Sequence, residues 1–306
     1  MTDSTPVLFI SSIFLFNRIG NAISSEMSRA RQILISKNSM KNLIKLSLGL
    51  SIVLAFASCK KETDDLTGTG SLSFHFDNRA GADDLVFGQT YTLPNSQQIN
   101  FSTFNYYVSN FVLVKADGTT YTVPQDSCYF LVKENDMESQ EVTINGVPAG
   151  DYTGVRFMIG VDSLKSVADI SQRTGDLDPA GAAADAYWGW NTGYIFVKIE
   201  GTSPQAPLDA MTNTNFVMYH VGGYGGYSSP TPNNIKTVSI TAPEAMTVRK
   251  TTTPEVHFYA DALQAFYSPT TVDFTTDPTV VHWGAFHSTL ANNYADMFSI
   301  DHVHND

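Results

Sequence analysis

An all-β fold is predicted for this chain, an antiparallel β-sandwich with long functional loops and at most short helices. Three observations carry that expectation. Apolar and polar residues alternate with period two in many short stretches, as a half-buried strand requires. Those stretches recur roughly every 8 to 12 residues with turn chemistry between them. No long stripe of helical periodicity interrupts them.

Taken in order, Ser71 to Asp77 reads S-L-S-F-H-F-D, with Leu72, Phe74 and Phe76 on one face and Ser73 and His75 on the other. Gly88 to Pro94 and Phe104 to Lys115 follow as strands, and the Asp117-Gly118 pair turns the second of them back into Tyr121 to Val123. Cys128 to Lys133, Glu141 to Ile144 and Tyr152 to Ile159 continue the series, with V-P-A-G-D at 147 to 151 as the turn before the last. Residues 160 to 190 then lose the alternation, and an excursion longer than about 15 residues is functional or disordered in most compact domains.

That excursion leads into Y-W-G-W-N-T-G-Y-I-F-V-K-I-E-G at 187 to 201. Trp188 and Trp190 are two of the three tryptophans, and at i and i+2 an extended backbone projects both indoles from one face. A strand follows from Gly193, another ends at His220 within Y-H-V-G-G, and after the loop G-G-Y-G-G-Y-S-S-P-T-P-N-N the strand Ile235 to Ala242 resumes. Glu255 to Tyr259 reads as extended and Asp261 to Tyr267 as a short helical piece; the chain closes with H-W-G-A-F-H at 282 to 287 and M-F-S-I-D-H-V-H at 297 to 304.

The N-terminal part has a different character. Residues 40–58 begin with Lys41 and Lys45, continue as an apolar run and reach small residues just before Cys59, the pattern of a lipoprotein signal peptide with Cys59 as the lipidated residue. The run from Leu46 to Ala57 is too short for a helix to cross a hydrocarbon core of about 30 Å. Residues 1–39 precede this signal awkwardly and read as an over-extended start, with translation beginning at Met40. Residues 59–70 are charged and then glycine-rich, a flexible tether, and 71–306 form a single domain. These features place the protein in the cell envelope, anchored by lipid in the outer membrane on its periplasmic or surface face.

Charge and cysteine content narrow the function. Six of the 18 basic and two of the 30 acidic residues precede Cys59, which leaves 12 against 28 and a formal net charge of −16 for the mature chain. Such a surface repels phosphate backbones, so nucleic acid is excluded as a partner. Cys128 is the one other cysteine, and with Cys59 acylated no intramolecular disulfide forms. The sequence has no G-x-S-x-G, H-E-x-x-H or P-loop pattern, so it reads as a binding protein and not as an enzyme.

The sequence resembles the MbnP-like family of extracytoplasmic copper-binding β-sandwich proteins. The resemblance rests on S-F-H-F at 73 to 76, Y-Y-V-S-N at 106 to 110, V-P-A-G-D-Y at 147 to 152, G-V-D-S at 160 to 163, L-D-P at 177 to 179, W-G-W-N-T-G-Y-I-F-V-K-I-E-G at 188 to 201 and Y-H-V-G-G at 219 to 223. It implies copper held by histidines, with a tryptophan, here Trp188 or Trp190, oxidised to kynurenine by a dihaem partner enzyme of the MbnH type. His75 and His220 lie within matched motifs and are the first candidate ligands. Imidazole suits copper, and a thiol-poor chain offers little else.

His302 and His304 form an H-x-H pair that an extended strand points one way, and they complete the candidate metal set. His257, His282 and His287 rank behind these four. Asp162, Asp176 and Asp178 offer hard oxygen donors for a calcium ion that would stiffen the long loop, against the ordinary role of loop aspartates in capping turns. The competing function is a surface-lipoprotein module that binds glycan or protein on an aromatic platform of Trp188, Trp190, Tyr224 and Tyr227. Convergence of His75 and His220 would favour the metal; their separation would favour the platform.

Overall fold

The computed structural model describes residues 66–306 except 191–192 and 281–284, together with Met27 and Arg29. Cys59, the signal segment 40–58, the start 1–39, the first part of the tether and His282 lie outside the described residues. Among the described residues no helix is long and apolar enough to cross a membrane.

Among the described residues fifteen strands run in order: β1 (Thr69–Ala80), β2 (Asp83–Asp84), β3 (Thr90–Thr92), β4 (Gln98–Lys115), β5 (Thr120–Thr122), β6 (Tyr129–Lys133), β7 (Glu141–Pro148) and β8 (Gly150–Ile159). Then follow helix α1 (Ser163–Ser166), β9 (Tyr187–Trp188), β10 (Gly193–Thr202), β11 (Phe216–Gly222), β12 (Lys236–Val248), β13 (Glu255–Asp261), β14 (Thr279–Val280), helix α2 (Ala285–Tyr294) and β15 (Phe298–His304).

They assemble into two sheets. One has five strands in the order β15-β13-β1-β2, with β7 also on β1; the other has ten along β12-β8-β4-β10-β11-β14, with β3, β5 and β6 on β4 and β9 on β10. The all-β sandwich is therefore as expected, and most pairs are antiparallel. Two are parallel: β1 with β13 and β11 with β14. Such pairs join strands far apart in sequence, which local alternation does not reveal. Helix α2 is a further difference from the sequence pattern, since A-F-H-S-T-L-A-N-N-Y has only a weak apolar stripe.

The core is an aromatic layer between the sheets. In β1 the apolar residues Leu72, Phe74 and Phe76 are fully buried while the residues between them are half-exposed. Phe76 stacks on Phe258 of β13 at 5.1 Å, and Phe157 of β8 meets Phe258 edge-on at 5.8 Å and Phe298 of β15 at 5.2 Å. Phe111 of β4 stacks on Phe74 at 5.1 Å and Phe157 at 5.5 Å. These offset and edge contacts are the favoured geometries of aromatic pairs.

The long excursion after β8 is ordered. It contains α1 and two 3-10 turns, and Leu177, Ala183 and Ala186 pack with Tyr107, Leu131, Tyr194, Phe196 and Tyr224 as a second, smaller core. The hydroxyls of Tyr107 and Tyr194 donate to the carbonyls of Asp176 and Leu177, at 2.8 and 2.6 Å. A long segment tied down by buried aromatic donors satisfies its backbone without joining a sheet.

Phe157 joins the inner faces of both sheets and is fully buried. Phe157→Ala is expected to destabilise the protein by about 3–5 kcal/mol, read as a lowered midpoint in urea unfolding with little change in slope.

Candidate functional site

Tyr187 and Trp188 pair with Tyr194 and Gly193 across the hairpin that joins β9 to β10. Gly193 has φ +67°, a conformation that glycine adopts without strain. The indoles of Trp188 and Trp190 meet edge-to-face at 5.6 Å, and Trp190 is 43% exposed. β11 pairs with β10 so that His220 lies opposite Lys198, and its ring comes to 6.4 Å from that of Trp188. Gly222, two residues on, permits this approach: a Cβ there would stand 2.3 Å from the Tyr194 carbonyl oxygen and 3.3 Å from the Trp188 ring.

His220 is held by a carboxylate. Its Nε2 is 2.7 Å from Glu200 Oε1, while Thr103 donates to Glu200 Oε2 at 2.9 Å and the Lys198 ammonium lies 3.7 Å from Oε1. Burial lowers the pKa of His220, and the opposing pull of Glu200 does not overcome it. Burial works against the charge on Glu200 too, but the hydrogen bond from His220, the Lys198 charge and the Thr103 hydroxyl hold its carboxyl below the ordinary range. At neutral pH the pair is therefore a neutral imidazole against an ionised carboxylate. The carboxylate only accepts, so Nε2 carries the proton and Nδ1 keeps its lone pair for a ligand.

The other histidines gather on the five-stranded sheet. Parallel pairing sets His75 of β1 opposite His257 of β13, and antiparallel pairing sets His257 opposite His302 of β15. Ring centroids are 5.0 Å apart for His75 and His257, 4.3 Å for His257 and His302, and 4.7 Å for His302 and His304. His257, His302 and His304 each present one ligand atom within 4.8 Å of the others. Among the described residues no other group of three or more His, Cys, Asp or Glu side chains does so.

His75 and His220 thus do not converge. They lie on different sheets, each beside fully buried or nearly buried neighbours, Phe74 and Phe76 for the first and Tyr219 and Val221 for the second. Their side chains alternate away from the shared core, so the sandwich separates them. His302 and His304 join His75 through His257, which ranked behind them in the sequence. The usable signal for His257 was E-V-H-F-Y, where Val256 and Phe258 turn inward and leave the histidine on the outer face. His287 is buried in α2.

The three loop aspartates are not brought together as a calcium site, because each is committed to a different part of the chain. Asp162 caps α1 through Lys165 N at 3.1 Å and accepts from Asn110, Gln125 and Tyr129. Asp176 accepts from the Leu131 backbone at 2.9 Å and Asp178 from that of Ala180 at 2.9 Å. Cys128 is a buried free thiol whose Sγ meets the Gln125 carbonyl.

The class of protein defined by this arrangement is a two-sheet β-sandwich with carboxylate-backed imidazoles on its outer faces. The sequence profile of the MbnP family matches residues 69–283, and the chain belongs to that family. Among solved structures it is similar to MbnP from Methylosinus trichosporium, with a TM-score of 0.43 and 17% identity over 71% of this chain and 82% of that one. No curated protein matches the sequence.

Asp162 generates a prediction about acid stability. Burial raises its pKa, but hydrogen bonds from Tyr129, Asn110, the Lys165 backbone and Gln125 outweigh burial and lower it. Its stabilisation is therefore complete above the unfolded carboxylate pKa of about 3.9 and is lost as pH falls through the lower folded value. Asp162→Asn is expected to cost about 1–2 kcal/mol at pH 7, discounted for its partial exposure. Urea unfolding from pH 7 to 3 should also show a shallower loss of stability in the variant.

Proposed function

We propose that this protein is a membrane-tethered extracytoplasmic copper-binding protein that sequesters copper or passes it on. The observation that carries the reading is the juxtaposition of His220, its carboxylate Glu200 and the Trp188–Trp190 pair, all within the segment matched by the MbnP family. A neutral imidazole whose second nitrogen is fixed by a carboxylate is a ready ligand for copper. Glu200 holds the tautomer and orientation of His220, and Gly222 keeps the strand close enough for the ring to lie beside the indole.

Oxidation of Trp188 or Trp190 by a dihaem MbnH-type partner, with dioxygen and water or two molecules of peroxide as co-reactants and the indole C2 leaving as formate, would open the indole to an aromatic amine and a ketone beside His220, adding donors where one imidazole is too few. The exposure of Trp190 supports access by a second protein. The tether and lipid at Cys59 would hold the domain at the outer membrane. Copper is cargo in this reading, and the protein is not an enzyme.

A second reading, an aromatic platform for a glycan or a protein, is favoured by the separation of His75 from His220 and by the exposure of Trp190 at 43% and Tyr227 at 77%; the separation removes only a copper site that needs both histidines, which the one built on His220 and the indoles does not. Copper content and intact mass of the protein from its native envelope separate the two. Stoichiometric copper, diminished in His220→Ala, is expected, with a mass gain of one oxygen less one carbon if the indole is oxidised. Absence of copper with an unchanged mass would remove this reading and leave the platform.

A further inference from the structure

We infer that His257, His302 and His304 form a second metal centre, on the outer face of the five-stranded sheet, for a divalent transition ion such as Zn2+ or Cu2+. It stands independently of the reading at His220. Two of its ligands, His302 and His304, lie on the last strand beyond residue 283, where the family match ends, and the third, His257, lies within the match.

A β-bulge creates the site. Along β13 and β15, His257 is opposite His302 while the next residue, Phe258, is opposite Ile300, so Asp301 is the extra residue. The insertion changes the parity of β15. Phe298 is buried before it and Val303 after it, which leaves His302 and His304 on the outer face with His257. Uninterrupted alternation from Phe298 would turn His302 and His304 inward, into the aromatic layer.

The donor atoms are set by carboxylates. Asp301 Oδ2 lies 2.6 Å from His302 Nδ1, and an ionised carboxylate only accepts, so Nδ1 is protonated and Nε2 carries the lone pair. That Nε2 lies 3.1 Å from Nε2 of His304. Glu255 Oε1, 2.6 Å from His257 Nε2, likewise frees Nδ1 of His257. Carboxylates of this kind fix ring orientation and increase ligand basicity in metal sites. Three imidazoles without a thiolate suit Zn2+ or Cu2+, and they leave one coordination position open to solvent beside the exposed His304.

The strand that bears two ligands is anchored. The Asn305 side chain accepts from Thr247 N at 2.7 Å and donates to the Ala245 carbonyl at 3.0 Å, both on β12 of the other sheet. His302 and His304 therefore sit on a fixed support, and the ion would be bound with little ordering of the chain. His75 is next in the row, hydrogen-bonded to Glu141 at 2.5 Å, and flanks the centre without contributing to the converging triad.

The test is calorimetric titration of the protein, stripped with a chelator, using Zn2+ alone. One tightly bound ion is expected, with affinity lowered at least about tenfold in His302→Ala and in His257→Ala, and about tenfold in Asp301→Asn. Near-ultraviolet circular dichroism of each variant establishes that it is folded, and His302→Gln replaces any variant that is not. Zn2+ affinity unchanged in the folded His302 and His257 variants would overturn the proposal. So would a loss that appears in His220→Ala instead, since the ion would then belong to the other sheet.

Discussion

The aromatic layer between the two sheets, built from Phe74, Phe76, Phe258 and Phe298 on one side and Phe111, Phe157 and Tyr106 on the other, is the contact on which the other features depend. Large rings interlocked at stacked and edge-on spacings hold each sheet in one register relative to the other. A strand whose inner residues are fixed in this way has its outer residues fixed as well. His75, His257 and His302 stand in a row because Phe74, Phe76, Val256, Phe258 and Val303 are buried beneath them. A polar chain in this layer is satisfied: the Tyr106 hydroxyl donates to Asn78, which donates to Glu134.

The two sheets support different chemistry. The ten-stranded sheet carries a single imidazole with a carboxylate and two indoles, next to a second small core that orders the long excursion. The five-stranded sheet carries several imidazoles and no tryptophan. On the readings proposed above, the two faces would offer a metal different environments, one imidazole beside oxidisable indoles on the first and several imidazoles on the second. The sandwich between them keeps the two from sharing ligands. The negative charge of the domain would draw cations toward both faces.

Much of the fold was legible in the sequence. Alternation in S-L-S-F-H-F-D located β1 and the face it buries, and Asp117-Gly118 marked the turn between β4 and β5. H-x-H at 302 to 304 reads as a pair pointing one way, and in β15 both rings lie on the outer face. Period-two patterning reports what each residue does relative to its immediate neighbours, so features internal to a strand survive in it. His257 ranked low because a lone histidine between Val256 and Phe258 has no local sign of the company it keeps.

Strand existence, inner and outer faces, the tryptophan pair and the scarcity of thiols follow from residue order and composition alone. Which strands lie side by side does not. The parallel pairing of β1 with β13 joins residues almost two hundred positions apart, and only it brings His75 beside His257. The same is true of the bulge at Asp301, which turns His302 and His304 outward, and of the separation of His75 from His220 onto different sheets. Those outcomes were decided by long-range packing, because side-chain burial in the shared aromatic layer selects the neighbours and the register, and no short window of sequence contains both partners.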